Sequence, residues 1–179
     1  MTVLKFSFSD LSRGELELLT RIPHNGEIND FNEDYWRPLL KTSVSRKFKE
    51  LEKRGLIRKA TLVEKLKYVY RNSDLKNFLR SKGLKVSGNK DELVQRVLEL
   101  SSSDNFVKNV EKRNIYKLTD LGSSFVDEYF KFLDNERNEA EELSFACLMN
   151  NRLLEACNII EDFKKKQVTQ RGLEWDWNN

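Results

Sequence analysis

The sequence predicts a mainly helical protein with one small β pair, a helical insertion and a helical hairpin at the C-terminal end. Three observations carry that prediction. Apolar residues recur at i, i+3 and i+4 through much of the 179 residues. Two short stretches, 56–59 and 115–119, read instead as strands. Leu51-Gly55-Leu56 and Leu79-Gly83-Leu84 share the spacing of a Schellman stop, in which glycine takes the left-handed conformation that ends a helix.

In chain order, Leu4, Phe6 and Phe8 alternate with polar residues and predict an edge strand. Ser12 and Glu15 form a capping box, with Leu11 and Leu16 placed as a hydrophobic staple, so a first helix is expected near residues 13–21. Pro23-His24-Asn25-Gly26 breaks it, and a second helical stretch follows between Asn29 and Leu40, its register obscured by Pro38.

Between Lys41 and Lys59, Val44, Phe48 and Leu51 share one helical face, while Ser45, Arg46, Lys49 and Lys53 lie off it. That helix stops at Gly55, and Leu56-Ile57-Arg58-Lys59 reads as a strand. Helix, glycine and strand in this order resemble the recognition helix and first wing strand of a winged helix-turn-helix domain. The resemblance implies that Ser45, Arg46 and Lys49 face a groove of DNA.

Downstream, Ile115-Tyr116-Lys117-Leu118-Thr119 followed by Asp120-Leu121-Gly122 is a YxLTxxG pattern that resembles the second wing strand. About fifty-five residues separate the two strands, whereas wing turns, like most connections in compact domains, are short. The expected resolution is that the intervening helices, led by one over residues 62–70, are inserted into the wing. The alternative is that residues 115–119 belong to an unrelated turn.

Within the insertion, residues 74–100 encode two short helices and a basic, glycine-containing loop. Leu75, Phe78 and Leu79 line one face of the first, and Leu93, Val94, Val97 and Leu98 one face of the second. Gly83 ends the first at about Lys82. Asn89 and Glu92 form a capping-box variant that starts the second at about Lys90. Asp74-Leu75-Lys76, Gly83-Leu84, Val86-Ser87-Gly88, Lys90 and Glu92-Leu93-Val94 together resemble the SAP motif, a helix-extended loop-helix module. That resemblance implies binding to DNA, often AT-rich or with little sequence preference, through the loop and the start of the second helix. Some members dock RNA or protein instead.

Physical chemistry points to the same residues. The amides of Gly88, Asn89 and Lys90 sit at a helix N-terminus, which suits phosphate, and Ser87 adjoins them. Lys76, Arg80, Lys82, Lys85, Lys90 and Arg96 supply positive charge around it. The plainer reading is a small stabilising helical pair with solvated basic faces.

The net charge is +3, but residues 41–100 hold seventeen Lys or Arg against seven Asp or Glu, whereas residues 123–163 hold ten acids against three bases. Such polarity favours one nucleic-acid-facing half. In the acidic part, Phe125, Tyr129, Phe130 and Leu133 form one helical stripe. Leu143, Ala146, Cys147, Leu154, Cys157, Ile160 and Phe163 form a further pair interrupted at Asn150-Asn151. A long helix and then a hairpin are expected, with Ala146 and Ala156 allowing close approach. Trp175 and Trp177 either fold back on the body or contact another molecule.

The expected organisation is a winged-helix-like domain of residues 1–60 and 113–122, a SAP-like insertion of residues 61–103, and an acidic helical region of residues 123–179. The remaining observations exclude other classes. No apolar run approaches the roughly 20 residues of a membrane span and no signal-peptide pattern is present, so an intracellular location, cytoplasmic or nucleoid-associated, is expected. Cys147 and Cys157 are read as core thiols, without the spacing of a zinc site or a disulfide framework. His24 is the single histidine, and no glycine-rich Walker loop occurs. No catalytic residues, metal or cofactor are therefore expected. The sequence points to a non-enzymatic DNA-binding protein, with RNA as the second candidate ligand. The rival is an interaction adaptor whose modules and acidic C-terminal helices dock a protein partner or a second copy.

Overall fold

The computed structural model describes residues 10–100 and 105–170, the last four by backbone alone. The edge strand expected over residues 4–8 and the two tail tryptophans lie outside those residues. The protein is mainly helical with a small two-stranded antiparallel sheet.

Helix α1 (Arg13–Arg21) starts at the anticipated capping box: the Ser12 amide donates to Glu15 Oε2 at 2.8 Å, and the Glu15 amide to Ser12 Oγ at 3.3 Å. Leu11 and Leu16 are both buried in the same cluster. A 3-10 turn over Ile28–Asp30 leads to α2 (Glu33–Leu40), capped by Asn32. Pro38 is accommodated late in this short helix, which Lys41 closes in the left-handed conformation at φ 54°. In α3 (Val44–Lys53), Val44, Phe48 and Leu51 are buried as their spacing requires. Gly55 then turns at φ 73° while the Leu56 amide reaches back to the Leu51 carbonyl at 3.0 Å, the Schellman bond.

Strand β1 (Ile57–Lys59) pairs with β2 (Tyr116–Leu118), with Ile57 opposite Leu118 and Lys59 opposite Tyr116. On the other side of β2, Ile115 bridges to Glu27, and the Tyr116 amide donates to the Gly26 carbonyl at 2.7 Å. The residues of the YxLTxxG pattern each have a task here. Tyr116 stacks edge-to-face on Phe48, with ring centroids 5.1 Å apart. Thr119 caps the next helix by accepting from the Gly122 amide and donates to the Gly55 carbonyl at 2.6 Å. A Cβ at Gly122 would run into the Leu56 carbonyl, so only glycine permits this approach.

Between β1 and β2 the chain forms α4 (Leu62–Val69), α5 (Asn72–Ser81), α6 (Lys90–Glu99) and α7 (Asn105–Glu111). Their apolar side chains gather around Leu66, Leu75, Leu79, Leu93, Val94 and Val97. A separate cluster joins α1, α2, α3 and the sheet to Phe125, Val126 and Tyr129. Helix α7 has no counterpart among the sequence expectations; Val107 and Val110 seal the second cluster from it.

Helix α8 (Asp120–Met149) runs 30 residues without a break, and α9 (Leu153–Gln170) folds back along it. The first arm of the expected hairpin is thus the continuation of the long helix. Its inner face also differs from the expected stripe. Ala140, Ser144, Cys147 and Ala156 are buried, with Ser144 Oγ donating to the Ala156 carbonyl at 3.1 Å, while Leu143, Ala146, Leu154 and Cys157 are exposed. Small side chains let the helix backbones close together, and the large ones are left outside. Cys157 is consequently not a core thiol, although Cys147 is.

Candidate nucleic-acid interface

The candidate site is built on the α5–loop–α6 unit. Asp74 carries the start of α5, its carboxylate accepting from the Arg71 amide at 2.8 Å. Leu75 and Leu79 anchor the inner face, and Gly83 ends the helix at φ 72° with the Leu84 amide bonded to the Leu79 carbonyl at 2.9 Å. The chain is thereby turned into the loop 84–88, of which only Val86 is half-buried.

Arg96 organises that loop. Its guanidinium donates to the carbonyls of Ser87 at 2.5 Å and Lys85 at 3.1 Å, and to Glu92 Oε2 at 3.3 Å. Expected as one of the surrounding charges, Arg96 is instead bound from beneath to the backbone that presents Lys85 and Ser87. Gly88 sits at φ 123°, a conformation that suits glycine, and a Cβ there would clash with the Glu92 carboxylate.

Asn89 caps α6, its side-chain oxygen accepting from the Glu92 amide at 3.0 Å. The reciprocal half of the expected capping box is absent from α6, because Glu92 has turned to Arg96. This matters electrostatically. The first turn of α6 holds two acids that oppose an anion, but Asp91 is paired with Lys67 at 2.8 Å and Glu92 with Arg96. Among the described residues no ion pair engages Lys76 on α5, Lys85 in the loop or Lys90 in the first turn of α6. Arg80 is exposed and donates to Asn77 at 2.9 Å, and exposed Lys82 lies 5.5 Å from the centre of the Phe78 ring.

On α3, Ser45, Arg46 and Lys49 are all exposed, on the face opposite Val44, Phe48 and Leu51. Arg46 is engaged by Glu50 at 3.2 Å, whereas Lys49 makes no ion pair among the described residues. Lys47 is directed inward to Glu15 at 3.2 Å and Glu50 at 2.8 Å, and Arg54 reaches the same Glu15 at 3.1 Å. Burial pushes the Glu15 carboxyl up, but its bonds from Ser12 and Lys47 outweigh that and hold it below the ordinary value. This cluster locks α3 against α1.

A second set of contacts, which no sequence pattern announces, ties the SAP-like unit to the body. The Tyr68 hydroxyl on α4 donates to Asp30 at 2.6 Å and accepts from the Gly26 amide at 3.2 Å. Arg113, after α7, pairs with the buried Glu27. Arg58 on β1 grips Glu64 on α4 at 2.7 and 2.8 Å, and this pairing holds the Glu64 carboxyl down to about 2. Tyr70 is stacked on Phe106, which is stacked on Phe78, at centroid separations of 3.9 and 4.1 Å. Both tyrosines of the basic region are therefore engaged within the protein.

Residues 69–100, the span that holds this loop and both its helices, match the profile of the SAP domain family. The match makes this segment similar to a SAP domain, over less than a fifth of the chain. No curated protein and no solved structure matches the chain. A SAP domain generally implies nucleic-acid binding, and among the described residues no helix is long and apolar enough to cross a membrane.

Proposed function

We propose that this protein is a non-enzymatic, intracellular DNA-binding protein that grips duplex phosphates through its SAP loop. The observation that carries this is the arrangement at the start of α6. Among the described residues Lys85 in the loop, Lys90 at the start of α6 and Lys76 on α5 have no ion-pair partner, the acids of the first turn of α6 are paired with Lys67 and Arg96, and the loop is held by the Arg96 guanidinium. In this reading Ser87, Gly88 and Asn89 offer hydrogen-bond donors to phosphate oxygens, and Arg80 and Lys82 add charge at the flank.

The body contributes a second contact. Its order of elements, with three helices before a strand that pairs with a later one, supports a winged-helix-like domain of which α3 is the recognition helix. Ser45, Arg46 and Lys49 then enter a groove, and residues 62–111 form a domain inserted in the wing. Duplex DNA is favoured over single strands because Tyr68 and Tyr70 are occupied by Asp30 and Phe106 rather than presented as stacking platforms.

The test is a fluorescence anisotropy titration of labelled duplex DNA, with matched RNA as competitor. The intact chain is expected to bind DNA in preference to RNA, and the Lys85→Ala, Lys90→Ala double variant about tenfold or more weaker. Absence of binding by the folded chain at low salt would overturn the reading, and stronger capture by RNA would replace its ligand class.

A further inference from the structure

A cavity of about 340 Å³ opens between the C-terminal end of α1, α2 and α8. Tyr35 of α2 and Tyr129, Phe130 and Leu133 of α8 supply its apolar lining, and Tyr35 and Phe130 are 44% and 50% exposed, so two aromatic faces stay open among the described residues. Arg21 and His24 line it as well, and among the described residues neither side chain has an ion-pair or hydrogen-bond partner. Glu17, an acid in the lining, is paired with Arg13 at 3.1 Å. Aromatic surface beside two unengaged nitrogen bases suits a group that is both aromatic and negatively charged.

We propose that this cavity is the seat of the chain's own segment Glu174-Trp175-Asp176-Trp177, which lies beyond the described residues. The position of α9 identifies the occupant. Helices α8 and α9 run antiparallel, with Ser144 bonded to the Ala156 carbonyl at 3.1 Å and Glu136 paired with Lys166 at 2.8 Å. Carried on in that register, Gln170 stands level with about residue 132 of α8, within one turn of Phe130 and Leu133. Trp175 and Trp177 follow Gln170 by five and seven residues, a reach of up to about 17 and about 24 Å at ~3.4 Å per residue. The chemistry agrees with the reach. Indole rings match the tyrosine and phenylalanine faces, and Glu174 and Asp176 match Arg21 and His24. So short a tether holds the segment at an effective concentration on the order of millimolar, enough for contacts too weak to retain a free ligand. Seated there, the segment ties the open end of the hairpin to α1 and α2, and α1 holds α3 through Glu15.

The inference is independent of the DNA reading, and its test contains no nucleic acid. Acrylamide quenching of tryptophan fluorescence reads Trp175 and Trp177 against Trp36, which is buried in the core. Phe130→Ser and Arg21→Glu, made separately in the full chain, are each expected to raise the quenching constant about threefold, because two of the three tryptophans become exposed. Their far-UV circular dichroism should not change, since both side chains lie outside the core. Adding Glu174→Lys and Asp176→Lys to Arg21→Glu is expected to restore the protection, which a loss of local structure would not allow. The unaltered chain should be protected equally from about 1 to about 50 μM, as an intramolecular contact requires. Quenching that neither substitution raises, a charge reversal that restores nothing, or protection that grows with concentration because a second copy supplies the segment would each overturn the inference.

Discussion

Arg96 shows how much of the proposed site depends on a residue that need not touch a ligand. The guanidinium of Arg96 is held by two loop carbonyls and Glu92, so its loss would release the segment that presents Lys85 and Ser87. Arg96→Met is therefore expected to weaken DNA binding by about tenfold without removing a phosphate contact, whereas Arg96→Lys, lacking the planar fork, should recover little of it. Anisotropy titrations of both variants decide this; full affinity in Arg96→Met would show that the loop orders itself. Gly88→Ala is a milder probe, costing about 1 kcal/mol through backbone strain. The Glu15 cluster belongs to stability instead. Glu15→Gln leaves Lys47 with Glu50 as its acid partner and removes the Glu15 carboxylate from Arg54, for an expected loss of about 2 kcal/mol in urea denaturation. A loss below about 1 kcal/mol would mean that the cluster does not lock α3.

Glu15 and Glu64 also set the acid response of the fold. Both carboxyls titrate below their ordinary value of 4.5 in the folded chain, Glu64 at about 2. The unfolded chain thus binds more protons than the folded one between those values, so stability is full above about pH 4.5 and falls as pH drops toward 2. The Arg58–Glu64 pair is half-exposed and contributes only modestly. Thermal melts across that window should show a falling Tm, and Glu15→Gln should flatten the slope; an unchanged slope would assign the acid response elsewhere.

At the scale of elements, what the sequence made readable was what rests on local chemistry. Ser12 with Glu15 starts α1, and Gly55 and Gly83 end α3 and α5 with the bonds that their spacing implies. The two strands, more than fifty residues apart, do pair, because Tyr116, Thr119 and Gly122 are each bound to the α3–β1 turn or its core. The helical stripe of α3 could likewise be read, together with the exposed places of Ser45, Arg46 and Lys49. Helix α7 was not readable, being one short segment whose two valines acquire a face only from α4 and α6. Nor was the inner face of the hairpin, since periodicity weights large apolar residues and the seam is made of Ala140, Ser144, Cys147 and Ala156. The neutralisation of Asp91 by Lys67 depends on tertiary placement and leaves no pattern in the chain.

The contacts between the SAP-like unit and the body are likewise tertiary, and they carry a prediction. Tyr68 and Arg113 hold Asp30, Gly26 and Glu27 from the two ends of residues 62–111. A Tyr68→Phe, Arg113→Ala double variant should leave both cores intact yet loosen the unit. Hydrogen exchange is then expected to rise at residues 26–30 while α5 and α6 keep their protection. Uniform exchange across both cores would show instead that the two units unfold together.

Across the whole molecule, the charges segregate along with the structure. Within residues 62–111 Lys67 pairs with Asp91, while Lys76, Lys85 and Lys90 make no ion pair among the described residues, and acids of the hairpin pair within it, as Glu136 does with Lys166 and Glu141 with Arg137. In the proposed reading the basic half faces phosphate and the acidic hairpin takes no part in that contact.

The measurement that bears most directly on the central claim is the salt dependence of duplex binding. The logarithm of the association constant is expected to fall linearly with the logarithm of salt concentration, and the Lys85→Ala, Lys90→Ala variant to show a slope shallower by about 2, one for each lost phosphate contact. An unchanged slope in that variant, or binding indifferent to salt, would contradict the assignment of the SAP loop as the phosphate site.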